Sequence, residues 1–146
     1  MRRAPLLLAA VLLAPPALAD EYPGAVASRV ALKTTKTAAG QPVAYPCGGT
    51  AEVTASVVTI APGAETGWHS HDVPVYAWVV AGTLRVEYDG APPITVKSGE
   101  PLVEAVGVAH DGRNAGSEAV KILVFTTGLE GRPNVAKAAR PSPAPR

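Results

Sequence analysis

The chain has 146 residues, with 13 Lys+Arg against 12 Asp+Glu, a formal net charge of +1. That balance excludes the basic field of a nucleic-acid-binding protein and the polybasic pull toward acidic lipid. A lone cysteine, Cys47, excludes a disulfide framework within one chain, so the fold must rest on its core.

In chain order, the first nineteen residues read as an export signal. Arg2 and Arg3 form a basic start, Leu6 to Leu13 an apolar run, and Ala17-Leu18-Ala19 a small-residue cleavage site. The apolar run is shorter than the roughly 20 residues of a membrane-spanning helix. The mature protein is therefore expected to start at Asp20, periplasmic or secreted, with no membrane attachment once the signal is removed. It keeps 11 basic residues against 12 acidic ones, in one domain of ordinary size.

Residues 20–50 form an N-terminal segment expected to hold early strand structure, with Cys47 in a half-buried loop. Residues 51–130 hold short β-rich runs: Glu52 to Ile60, Val75 to Val80, Thr83 to Tyr88, Ile94 to Lys97, Leu102 to Val106 and Ala119 to Thr126. Between them stand breakers such as Pro62-Gly63, Ala81-Gly82, Asp89-Gly90, Pro92-Pro93 and Ser98-Gly99. Short strands at even spacing, separated by turn chemistry, predict an all-β sandwich or barrel. Residues 131–146 are rich in Pro and Ala, lack apolar bulk, and are expected to form a disordered tail.

The three histidines fall in two places. His69-Ser70-His71 puts two imidazoles on one face of an extended strand, because side chains alternate with a period of two. His110 lies 39 residues beyond His71, and reaches the same point when antiparallel strands double the chain back. Three imidazoles that converge can hold one divalent metal with bonds of about 2.0–2.1 Å. An isolated imidazole is more often a surface or structural group, so the reading rests on all three together.

These residues also carry a family resemblance. Gly63, His69, His71 and Gly82 stand at the positions of a G-x5-H-x-H-x3-4-E-x6-G motif. Gly99, Gly107, His110 and Asn114 stand at those of G-x5-P-x-G-x2-H-x3-N. In this order the two motifs resemble those of the cupin superfamily. The resemblance implies a conical jelly-roll β-barrel of two antiparallel sheets, a metal in the barrel mouth on His69, His71 and His110, and pairing into a homodimer. Two positions depart from the pattern: Val75 stands where the motif has its acidic ligand, and Ala105 where it has proline.

Glu104 is the one acidic residue in an otherwise apolar run (LVEAVGV). It has two readings: an outward, solvated side chain, or an inward carboxylate serving as fourth ligand, positioning group or base. Its six-residue offset from His110 favours a common face, but Gly107 interrupts the count. Glu65, Asp72 and Tyr76 are weaker candidates, Tyr76 as a group that positions a proton. Three neutral imidazoles with open positions suit Fe, Mn, Ni, Cu or Zn. Two functions stay open, beside a blander reading in which the barrel has lost its metal and persists as a structural or dimerising piece. One is a dioxygenase acting on a small molecule, in a pocket lined by Trp68, Val75, Trp78 and Val103. The other is a non-catalytic module that binds a metal or a small ligand.

Overall fold

The computed structural model describes residues 27–142. The expected signal and the last four residues lie outside that range. The fold belongs to the compact unit that begins at Ala31. Its described residues form nine strands: β1 (Ala51–Ile60), β2 (His69–Ser70), β3 (Val75–Ala81), β4 (Thr83–Tyr88), β5 (Ala91–Lys97), β6 (Pro101–Val103), β7 (His110–Asn114), β8 (Val120–Leu129) and β9 (Ala136–Lys137). No helix occurs among the described residues. The strands form two antiparallel sheets, ordered β1-β8-β3-β6 and β5-β4-β7-β2-β9. This is the expected all-β barrel of jelly-roll type.

Alternation in the sequence decides which faces meet. Along β4, Leu84, Val86 and Tyr88 are buried while Thr83 and Arg85 are exposed. Along β3, Val75, Ala77 and Val79 are buried, and Tyr76 and Trp78 take the opposite face. Ala77, Val79, Leu84, Val86 and Tyr88 join Ile60, Val96, Leu102, Ala105, Val120 and Ile122 in one core cluster. Fully burying a Val or Leu contributes about 1.5–3 kcal/mol, so these strand pairs dominate the stability of the barrel.

The turns follow local chemistry. Gly82, between β3 and β4, has φ +75°, and a Cβ there would stand 3.0 Å from the Ala119 carbonyl oxygen and from Val120. Both its conformation and its close approach to the start of β8 require glycine. Asn114 ends β7 by accepting a bond from the amide of Gly116, as its turn position predicts.

Several expectations need correction. Residues 27–50 contain no strand, only an isolated bridge between Lys36 and Pro42. Cys47 is exposed rather than half-buried. Pro92 and Pro93 do not break the chain; they lie inside β5, which is an edge strand where a missing N–H costs little. The run 102–106 leaves the sheet at Val103. The tail is not disordered through its described part, since β9 pairs with β2.

Candidate metal centre

The site is built where β2 and β7 meet. His69 lies directly opposite His110 in the antiparallel register, which explains how residues so far apart in sequence share one place. His71 follows two residues after His69, just beyond the strand. Its backbone carbonyl accepts the amide of Gly107 at 2.7 Å, which ties the loop after β6 to the site. The ring centroids stand 4.5 to 5.1 Å apart, and one nitrogen from each ring lies within 4.8 Å of the others.

The hydrogen bonds fix which nitrogen faces the centre. Nδ1 of His69 bonds the Gly67 carbonyl at 2.7 Å, Nδ1 of His71 the Asn134 carbonyl at 2.8 Å, and Nδ1 of His110 the Val108 carbonyl at 2.9 Å. A carbonyl only accepts, so each Nδ1 carries the hydrogen. In the neutral rings the three Nε2 atoms therefore present lone pairs. This is the arrangement that orients imidazole ligands around a metal.

Glu104 completes the cluster. Its Oε2 stands 3.0 Å from Nε2 of His71 and 3.4 Å from Nε2 of His110. Carboxylate and imidazole acceptors repel at that distance unless a proton or a metal cation lies between them. Nε2 of His110 is buried and makes no hydrogen bond of its own. Three imidazole nitrogens and a carboxylate oxygen are a donor set that fits a divalent first-row transition metal.

In the metal-free cluster the same contacts shift the proton affinities. Burial pushes the Glu104 carboxyl up, but the close contacts with His110 and His71 when those rings are protonated, and their charge, outweigh it and hold the group at about 2. Burial lowers His110, yet the nearby Glu104 carboxylate and the Val108 carbonyl raise it overall. His69 is lowered, first by burial and then by the neighbouring imidazoles.

The family described as Cupin domain matches residues 56–126, a span containing all three histidines, Glu104 and Asn114. Residues 56–126 are a cupin domain. Solved structures share this cupin fold at low identity. An oxalate oxidase is 24% identical with a TM-score of 0.52, over 58% of this chain and 45% of that one. A structure of the DMSP lyases RdDddP and RnDddQII is 20% identical with a TM-score of 0.52, over 60% and 44%. A Lactobacillus farciminis oxalate decarboxylase–formate complex is 20% identical with a TM-score of 0.51, over 58% and 26%. The cupin spans less than half the length of each of these three chains. At such identities the likeness is one of fold. No curated protein matches the sequence.

The cupin barrel encloses a cavity of about 230 Å³ above the cluster. The imidazoles and Glu104 supply most of its polar lining, and Val58, Val86 and Ile122 are among its apolar side chains. Val75, at the motif's acidic position, lines this cavity. Glu104 enters instead from the loop after β6, on the neighbouring strand's side, so its carboxylate is at the cluster although the motif position is apolar. The other residues expected in the lining lie elsewhere. Tyr76, Trp78 and Val103 line an apolar groove on the outer face of the four-stranded sheet, and Trp68 borders a shallow groove outside the cavity. Tyr76 is thus separated from the histidines by the thickness of β3. Glu65 is exposed and pairs with Arg113, and Asp72 is exposed beside Cys47 and Arg132.

Other contributors had no signal in the motifs. Tyr88 pairs across the sheet with His110, its ring 5.7 Å from the imidazole. Burial, and then the Glu104 charge, push its phenol well above the usual range. Gln41 reaches from the N-terminal segment and bonds both backbone groups of Val106, at 2.8 and 3.0 Å. That clamp braces the loop carrying Glu104. Gln41 sits in no pattern that sequence spacing singles out, and the alternation along β4 marks Tyr88 as a core residue rather than as a neighbour of the cluster.

Proposed function

We propose that this cupin binds one divalent transition metal through Nε2 of His69, His71 and His110 with Glu104, and acts as a small-molecule dioxygenase. One observation carries the reading: three Nε2 atoms and a carboxylate oxygen converge beneath a small, mostly apolar cavity. A redox-active ion such as iron supplies the dioxygen chemistry when bound. The chain's own residues do the rest. The Nδ1 bonds hold the imidazoles in one tautomer, and the apolar walls exclude water. Glu104 supplies the negative charge that Val75 cannot, or holds a proton at Oε2 when a substrate displaces it.

The cavity narrows the substrate class. It is smaller than the roughly 300–1,000 Å³ of most ligand pockets. Among the described residues its wall contains no Lys or Arg, and its uncharged polar side chains are the hydroxyls of Ser56, Thr66 and Thr126. A compact, partly apolar molecule with an oxygen or sulfur donor fits best. The test is oxygen uptake by the iron-loaded protein with a panel of small diketones, catechols and thiols. Uptake that is lost in His110→Ala supports the enzyme. A tightly loaded protein that consumes no oxygen with any of them favours a non-catalytic binding module.

The N-terminal pattern supports export, and a secreted form beginning at Asp20 would establish it. The outer face of the four-stranded sheet supports self-association. There Ala55, Phe125, Tyr76 and Val103 align across all four strands, and the neighbouring edge strand β1 exposes Val53 and Val57. Light scattering would return the mass of a dimer, and that of a monomer for Phe125→Glu.

A further inference from the structure

After Arg132 the chain turns back along the five-stranded sheet. Ala136 and Lys137 pair with Ser70 and His69, and the amide of Ala138 donates to the Trp68 carbonyl at 2.9 Å. Two residues of this strap touch the cluster. The Asn134 carbonyl takes the Nδ1–H of His71 at 2.8 Å. Val135 lines the cavity and is 54% exposed, so it forms part of the rim. His69 and His110 find their Nδ1 acceptors two residues upstream in their own segments. His71 alone takes its acceptor from a segment 63 residues away. Two ligands are oriented locally and the third by the end of the chain.

Asn134 is itself seated. Its Nδ2 donates to Oγ1 of Thr54 on β1 at 3.3 Å. Its side-chain amide occupies the place that a Cβ on Gly128 of β8 would fill. The backbone at Gly128 is not in the left-handed region, so its conformation does not demand glycine there. What the missing side chain provides is room for Asn134.

We propose that residues 134–138 are a positioning strap of the metal site: Asn134, seated on Gly128, sets the ring of His71, while Val135 completes the cavity rim. The inference rests on the metal-site reading above, and carbonyl partners of this kind orient ligating imidazoles generally. Removing the strap frees His71 to rotate and to exchange tautomers, whereas His69 and His110 keep their local acceptors. Gly128→Ala achieves the same displacement without touching any ligand.

The test compares three proteins: the full chain, the chain ending at Pro133, and Gly128→Ala in the full chain. Nitrogen NMR of the metal-free imidazoles reads the tautomers, and chelator competition with Co²⁺ reads affinity. The full chain should show His71 in a single Nδ1–H form. Both variants should show His71 as a mixture, with His69 and His110 unchanged. Co²⁺ affinity should fall about 10–100-fold in the truncated chain, and in the same direction for Gly128→Ala. A single His71 tautomer in both variants, with affinity within about twofold of the full chain, overturns the strap. If the full chain binds no Co²⁺, the metal reading fails instead, and the tautomers alone decide the strap. Should the truncated chain not fold, Gly128→Ala carries the comparison.

Discussion

Replacing Asn114 with Ala should cost this domain about 3–5 kcal/mol, a large part of the typical 5–15 kcal/mol total. The side chain has no exposed surface. Its Nδ2 donates to the Ile60 carbonyl at 2.9 Å and to the Glu118 carbonyl at 2.8 Å, and its Oδ1 accepts the Gly116 amide at 2.9 Å. It therefore stitches the end of β7 to the end of β1 and to the turn leading into β8. The Ile60 carbonyl is buried, and leaving it without a partner costs about 1–3 kcal/mol. The other two partners are closer to water, and each lost bond there costs about 1 kcal/mol. Asn114→Asp should be worse, since it sets an anionic oxygen against two carbonyls. Urea denaturation of the metal-free protein measures both, with an unchanged slope showing that the folded and unfolded states are otherwise alike. A loss below about 1 kcal/mol for Asn114→Ala would refute the role given to these bonds.

Other outcomes follow from the same geometry. Gly82→Ala should lower stability by about 2–4 kcal/mol through backbone strain and the contact with Val120, read as a fall in Tm. Tyr76→Phe should leave metal affinity unchanged, because Tyr76 faces the outer groove; a tenfold loss would place it at the cluster after all. The metal-free protein should be most stabilised by its Glu104–imidazole contacts between about pH 4.5 and 6.5. Glu104, held at about 2, contributes stability that is lost as pH falls below its ordinary range, and raised His110 contributes stability that is lost as pH rises through its folded value. Glu104→Gln should flatten that profile in urea titrations. Metal binding runs the opposite way, weakening below about pH 6 as protons compete for the Nε2 atoms.

How far the sequence discloses this molecule depends on what makes each strand. β3, β4 and β8 bury apolar side chains on roughly alternate positions, and the largely exposed β1 is rich in β-branched residues, so composition and period reveal them. β7 (HDGRN) and β2 (HS) have no such pattern. They are strands because they are held between neighbours, with His110 and Asn114 buried for chemistry and bonding rather than for apolar area. β9 is held by backbone bonds alone, which no side-chain period reports, and this is why the tail reads as disordered. The three histidines are legible because both motifs stand around them. Glu104 is legible only as an anomaly in an apolar run, since its direction depends on how the loop at Gly107 turns. Gln41 and Asn134 act across long sequence separations through backbone partners, and nothing local marks them.

X-ray absorption on the protein loaded with one equivalent of Co²⁺ tests the central arrangement most directly. Three imidazole nitrogens with at least one oxygen ligand should surround the ion, and His69→Ala or His110→Ala should each lose that spectrum. A cobalt environment with one imidazole or none, unchanged by those substitutions, would contradict the account.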